Sequence, residues 1–425
     1  MKTTVKTLAL CGALLSASMT FGQESNYDRS LTSFRYPDQR GITQFEAFDN
    51  QTPWTGFNVR VGGAFALQFQ GLDHETGTTF DTLKALGSNF NLPTANLTID
   101  AALYDGVRLH MTTYLSSRHH NEAWVKGGYI QIDKLDFIRK DFLKGVMDDV
   151  TIKIGMDDVN YGDYHFRRTD NAKAIYNPFV GNLIMDAFTT EAGGEIYYHP
   201  GHWIFMAGMT NGKLNQSVAE PDAYKPAFLL KAGYDEQFND ALRFRLTGSL
   251  YSKAASSRQY LYGGDRTGSR FYYVMENQDA SATSQAFSGR YNPGFGSEMT
   301  AIMINPFVKF KGLEFLGTFE TTSGKSATET DNRTFNQYAA DLVYRFGPTE
   351  NLYIGAKYNI VQGTEAVTGN DVSINRIEAG AGWYMTKNVM LKAEYVNQTY
   401  DGFANTSLYY EGGFDGVMLE AVVGF

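Results

Sequence analysis

Cysteine is almost absent from this chain of 425 residues: the single one, Cys11, lies inside an apolar run near the amino terminus. Without that run no disulfide framework and no thiolate metal site can form. No apolar run reaches the roughly 18 residues that a membrane-spanning helix needs. Positive charge is in deficit, with 37 Lys and Arg against 46 Asp and Glu and a net charge of −9, so a nucleic-acid partner is excluded, because phosphate binding wants a basic face. Histidine is sparse at 7, only His119 and His120 are adjacent, and neither HExxH nor CxxC spacing occurs. No cofactor or metal is expected. Proline is scarce as well, at 10 residues against 43 glycines. What the chain has in quantity is apolar and aromatic surface, 43% hydrophobic with 30 Phe and 27 Tyr, which excludes a disordered or collagen-like chain.

The first 22 residues read as a signal peptide. Lys2 and Lys6 precede an apolar stretch from Leu8 to Met19, and small-residue punctuation ends at Gly22. A lipoprotein signal at Cys11 is disfavoured, because Leu10 stands where a small residue is expected. Cleavage after Gly22 removes two lysines and no acid, taking the net charge from −9 to −11. Residues 23–56 are polar with scattered aromatics and no clean period, a non-strand extension that could sit in the periplasm, line a barrel mouth or bind a partner.

From residue 57 onward, strict alternation recurs. In 57–70, Val59, Val61, Phe65, Leu67 and Phe69 oppose Asn58, Arg60, Gln68 and Gln70. In 241–253, Leu242, Phe244, Leu246 and Leu250 oppose Arg243, Arg245, Thr247, Ser249 and Lys253. Period 2 means strands, and runs of about 10 residues suit a tilted strand crossing a bilayer. Sixteen such runs can be placed between 57 and 425. The links between them alternate in length. Asp105-Gly106 is a type I′ turn signal, and Lys311-Gly312 and Gly347-Pro348 are equally tight, whereas 71–94, 158–186 and 254–299 are long. Short turns on one side and long loops on the other are the mark of a transmembrane antiparallel β-barrel, with turns in the periplasm and loops outside. A further hairpin hidden in 254–299 would make eighteen strands. In 133–149, Leu135, Ile138, Phe142 and Val146 keep helical spacing, which predicts a short amphipathic helix in a periplasmic link. The chain ends on an alternating strand and a terminal Phe425, similar to the signal read by the barrel-insertion machinery of Gram-negative bacteria.

One stretch carries a more specific likeness: Gly155-Met156-Asp157-Asp158, then Gly162-Asp163-Tyr164-His165-Phe166-Arg167-Arg168-Thr169-Asp170-Asn171, then Asn177-Pro178-Phe179-Val180-Gly181-Asn182. With the alternation and the terminal Phe, it resembles a porin of the Bacteroidota, distantly similar to the phosphate-selective porin O/P group. The resemblance covers most of the chain after residue 22 in layout. It implies passive diffusion of small hydrophilic solutes across the outer membrane, without catalysis, and a homotrimer embedded in outer-membrane lipid. The dense arginine ladder of the phosphate-selective members does not map onto this chain.

A barrel of this size holds an aqueous channel lined by its polar face. That face carries Arg60, Arg108, Arg118, Lys153, Lys231, Arg243, Arg245, Lys253, Lys309, Lys311, Arg345, Lys357, Arg376 and Lys392. Against these stand acids that include Asp100, Asp157, Glu191, Glu195, Glu314 and Glu420. Fixed charges set pore selectivity, so the slight basic excess predicts a weak anion preference unless the charges cancel in pairs. The loop 158–186, with Asp163, Arg167, Arg168 and Asp170, is the candidate constriction; a solvated surface loop is the alternative. In 254–299, Arg258, Arg266, Arg270 and Arg290 accompany several tyrosines that read as interfacial girdle or as a solute slide. His110 faces the lumen with Thr112 two residues on, one pair among many polar wall residues and too little for an enzyme without a GxSxG signal. The expectation is a general diffusion channel; its rival is a closed or plugged structural or assembly barrel, with 23–56 or the long loops filling the lumen.

Overall fold

A strand with one apolar and one polar edge must find a different medium for each. Here the solution is a closed ring, in which β1 (Asn58–Glu75) pairs with β16 (Gly413–Gly424) and every other strand pairs with its neighbours in sequence. The structure is a computed structural model and describes residues 35–48, 54–116, 123–168, 174–214, 225–254, 259–263, 270–281, 288–366 and 368–425. The signal-peptide reading of 1–22, much of 23–56, and Arg118, Asp170, Arg258 and Arg266 lie outside the described residues.

The antiparallel order continues through β2 (Asn89–Tyr104), β3 (Val107–Ser116), β4 (Trp124–Ile132), β5 (Val150–Asp158) and β6 (Thr190–Tyr198). Next come β7 (Trp203–Thr210), β8 (Ala227–Asn239), β9 (Leu242–Lys253), β10 (Glu298–Phe310) and β11 (Leu313–Lys325). The ring finishes with β12 (Arg333–Phe346), β13 (Leu352–Thr364), β14 (Asp371–Thr386) and β15 (Val389–Asp401). The sixteen-strand expectation therefore holds, and among the described residues 254–297 adds no strand. Polarity is inverted relative to a water-soluble barrel: Val59, Phe65, Leu97, Ile154, Ile304, Leu342 and Leu419 face outward and exposed, while Gln68, Asp100, Arg245, Glu320 and Lys392 point inward and buried. An apolar exterior around a polar interior suits lipid outside. Among the described residues, no helix is long and apolar enough to cross a membrane.

The links divide by length as expected. At one end lie 105–106, 240–241, 311–312 and 387–388; at the other lie 159–189, 211–226 and 254–297. Gly106 shows why a tight link needs its residue. Its φ is +72°, and an added Cβ would stand 2.7 Å from the Lys134 backbone nitrogen. The link 133–149 departs from the amphipathic helix expected there. Only one turn forms, α1 (Lys144–Met147), because Asp141 and Leu143 adopt positive φ of 58° and 53°. The Asp136 carboxylate captures the Asp141 N–H at 3.0 Å, a local side-chain bond that competes with helix. Ile138 and Val146, which helical spacing placed on a buried face, are exposed.

Two details fix the ring. Pro306 stands in the interior of β10 with no N–H to give β11. The Asn305 side chain substitutes, donating from Nδ2 to the Gly317 carbonyl at 3.0 Å. The seam is closed by the last residue: Gly63 N–H donates to the Phe425 carbonyl at 2.9 Å and Phe425 N–H to Gly63 at 3.0 Å.

The outward face makes a direct prediction. Ile304 is mid-strand and outward, so Ile304→Arg should cost about 2–4 kcal/mol when unfolding from lipid vesicles is measured. A neutral result would mean that this face does not meet hydrocarbon.

Candidate functional site

The link between β5 and β6 cannot stay in water. It carries Val159, Tyr161, Tyr164, Ile175, Tyr176, Phe179, Val180, Leu183, Ile184, Met185 and Phe188, and all are buried. It folds into the lumen and packs on inward apolar residues of the wall, among them Met303, Phe307, Val343, Tyr353 and Val422. Simple alternation reads the inward face as polar, and these apolar positions are the exception that gives the loop a seat.

A loop laid on a wall has no ladder partner, so wall side chains supply one. Lys392 Nζ donates to the carbonyls of Ala174, Asn177 and Phe179 at 3.0, 3.2 and 2.9 Å. Lys357 Nζ donates to Gly181 at 3.0 Å, and Arg376 to Asn182 at 2.8 Å. The Glu394 carboxylate accepts the Val180 N–H at 2.6 Å. Asn359 and Gln337 accept the N–H groups of Ile184 and Met185 at 2.7 and 2.9 Å. Gly181 permits the approach, since a Cβ there would lie 1.9 Å from the Glu378 carboxylate. Lys357 and Lys392 each also hold a carboxylate, Glu378 at 2.5 Å and Glu420 at 2.6 Å.

The constriction candidates are spent on the same anchoring. Arg167 pairs with Glu314 and, at 3.4 Å, with Asp341, while Arg168 pairs with Asp186 at 2.5 Å. Asp163 sits between Lys231 Nζ at 2.8 Å and Arg245 Nε at 2.8 Å. A second carboxylate shares those two bases. Glu46, from the amino-terminal segment 35–48, lies 2.9 Å from Lys231 and 2.7 Å from Arg245. This segment spans the short-turn mouth, where Gln39 N–H donates to the Lys387 carbonyl at 2.8 Å and Phe48 stacks on His199 at 4.2 Å.

Between this segment, the loop and the wall of β1–β5 a cavity of about 220 Å³ remains. Arg60, Asp100, His110, Lys126, Tyr129 and Lys153 line it from the wall, Asn160 and His165 from the loop, and Glu46 and Phe48 from the segment. Its wall bases are matched, Arg60 with Asp100, Lys153 with Asp157 at 3.0 Å and Lys126 with Asp158 at 3.5 Å, while Arg35 of the segment donates to the Gly41 carbonyl at 2.8 Å and lies 3.6 Å over the Tyr176 ring. Asp100 Oδ1 lies 2.6 Å from His110 Nδ1, and His110 Nε2 lies 3.0 Å from Thr112 Oγ1. The sequence reading put Asp100 on the polar face but not beside His110, because the two come from neighbouring strands and meet only as register partners. Thr112 is ladder-paired with Thr98 on one side and Gly127 on the other.

The remaining sequence candidates distribute around the wall. Lys153 lines the cavity, and Arg108 is buried against Asp133. Arg243 pairs with Asp235 at 2.7 Å, and Lys309 with Glu350 at 2.6 Å. Glu191 accepts from Thr210 and Tyr251, Glu195 accepts from Tyr197, and Lys253 donates to the Gly212 carbonyl. Lys311 is not a wall residue: it occupies the exposed turn 311–312 with φ 52°. Its parity along β10 is inward, but the strand ends at Phe310 and the two-residue turn to Leu313 takes the next position.

No protein-family model and no curated protein sequence matches this chain. Its fold is similar to the outer membrane channel DcaP of Acinetobacter baumannii, at 11% identity over 87% of this chain and 98% of that one, TM-score 0.54. The trimer form of OmpT, an outer membrane protein of Vibrio cholerae, aligns at 11% identity over 87% and 99%, TM-score 0.52. The anion-selective porin from Comamonas acidovorans aligns at 11% over 87% and 100%, TM-score 0.51. At such identities the likeness is one of fold: a porin-type barrel.

Two predictions follow from the shared bases. Arg245→Met leaves Glu46 and Asp163 buried with Lys231 alone and should destabilise the protein by about 3–5 kcal/mol in reversible unfolding. Burial works to raise the Glu46 carboxyl, but the Arg245 and Lys231 charges outweigh it and hold it at about 2. Asp163 is likewise held far below its ordinary value, against burial, by Arg245 and Lys231. A depressed carboxyl stabilises above its unfolded pKa of 4.5 and loses that contribution as pH falls through about 2. Hydrogen exchange in 35–48, corrected for its intrinsic pH dependence, should stay slow from neutral pH to about 4.5 and quicken only below. Quickening near pH 6 would contradict the pairing.

Proposed function

We propose that this chain is an outer-membrane porin through which small hydrophilic solutes diffuse passively, driven by their own gradients, with no reaction and no cofactor. One observation carries the reading. The closed ring has an apolar exterior, and its crowded lumen keeps a cavity whose wall charges are paired, beside the loop. The porin-type fold of the neighbours supports it. Matched pairs present little net field to a solute, so the proposed anion preference is weak. The exported signal at 1–22, the kinship with Bacteroidota porins through the 155–182 stretch, insertion through Phe425 and a homotrimer belong to the same proposal.

A second reading is favoured by a specific observation. The 159–189 loop and the 35–48 segment fill the β8–β16 side of the lumen, as a plugged structural or assembly barrel would require.

Planar-bilayer recording separates the two. A steady single-channel conductance, with a reversal potential leaning slightly toward anions under a salt gradient, is the expected result. A cation-leaning reversal would keep the channel and remove the anion preference. Silence in wild type and in a variant lacking 35–48 would favour the plugged barrel.

A further inference from the structure

The segment 35–48 places two chemically different groups in two adjoining niches of the wall. The Glu46 carboxylate takes Lys231 and Arg245. The neighbouring Phe45 ring stands edge-on to Phe166 at 5.7 Å and to Phe307 at 5.3 Å, with the Arg245 guanidinium 4.2 Å above its face. Neither group belongs to the barrel, and Glu46 lines the cavity with Lys231 and Arg245 behind it.

Charge balance shows what this part of the wall lacks by itself. Lys231, Arg243 and Arg245 face Asp163 and Asp235, and the third acid is Glu46. If the segment withdraws, one positive charge is left in a buried niche next to an aromatic slot. Leaving a buried charge without its partner is costly, so the niche calls for an anion. Guanidinium stacking on a ring and a two-base clamp on a carboxylate reward a molecule that carries both features.

We propose that Lys231 and Arg245, with Phe166 and Phe307, form a binding site for an aromatic carboxylate, and that the Phe45–Glu46 step is its built-in, displaceable occupant. The proposal rests on the channel reading for its purpose, since an incoming solute would reach the site from the cavity. It adds a ligand class: a small aryl acid, or an acidic peptide with an aromatic neighbour. Displacement would join the cavity to the basic wall of β8 and β9 and replace matched charges with a positive face.

Arg40 lies within the segment, so trypsin cleavage after Arg40 in the full exported protein, followed by mass spectrometry, reports withdrawal. Two probes, 3-phenylpropionate and acetyl-Phe-Glu-amide, are compared with propionate. Loss of charge-assisted hydrogen bonds to Glu46 should speed cleavage about tenfold when either aromatic probe saturates, and Glu46→Gln should do the same without a probe. Propionate, lacking the ring, should do much less. Acceleration by both probes supports the site and shows that a small acid suffices; acceleration by the peptide alone assigns it to peptides. If neither aromatic probe outdoes propionate, the proposal is overturned. Bilayer recordings on the same samples keep the two readings apart. Steady current with cleavage insensitive to every probe removes the site and leaves the channel. Probe-sensitive cleavage without current removes the channel and leaves the site.

Discussion

Peptide groups brought inside a barrel must still be hydrogen-bonded, and this requirement organises the lumen. The loop between β5 and β6 brings its carbonyls and N–H groups to a wall whose own backbone is already committed to neighbouring strands. Lysines, arginines, glutamines and asparagines of β12–β15 meet them one by one: Lys357, Lys392 and Arg376 donate, Glu394 accepts, and Gln337 and Asn359 take two successive N–H groups. These charges are therefore structural. A base that holds three loop carbonyls and a carboxylate is not offered to a passing solute.

The consequence is a lumen with two unlike halves. Along β11–β16, aromatic and aliphatic residues share the inward face with anchoring polar groups, and loop and wall form one packed interior. Along β1–β5 the wall retains paired charges and space. Any solute path belongs to that second half. The bases of β8 and β9 stand at the border, covered by carboxylates that come from elsewhere in the chain.

The ring was legible in the sequence because every strand meets different media on its two faces, and period 2 records that directly. Val59 to Phe69 and Leu242 to Leu250 pointed outward as the alternation required, and link lengths sorted the two ends. The interior was less legible, since it depends on partners distant in sequence. Asp163, Arg167 and Arg168 read as a charged constriction, and nothing local says that Asp163 meets Lys231 and Arg245 while Arg167 meets Glu314. Asp100 and His110 come together through strand register. The expected helix at 133–149 failed for a local reason: its apolar spacing competes with an aspartate that captures a backbone N–H, and propensity gave way. Phe45 and Glu46 carried no periodic signal at all; only charge balance on the folded wall singles them out.

The seam at Phe425 has a bearing on how the molecule is made. The strand that closes the ring is the sixteenth in sequence, and Phe425, just beyond it, bonds to Gly63 near the start of the first strand. Contacts of such sequence separation form late, after every intervening loop has been closed. Until Phe425 arrives, β1 and the newest strand both present unpaired edges, which are templates for joining other chains. A message truncated by even one strand would yield an open sheet instead of a smaller barrel. All sixteen strands are thus a condition for a ring that leaves no edge unpaired.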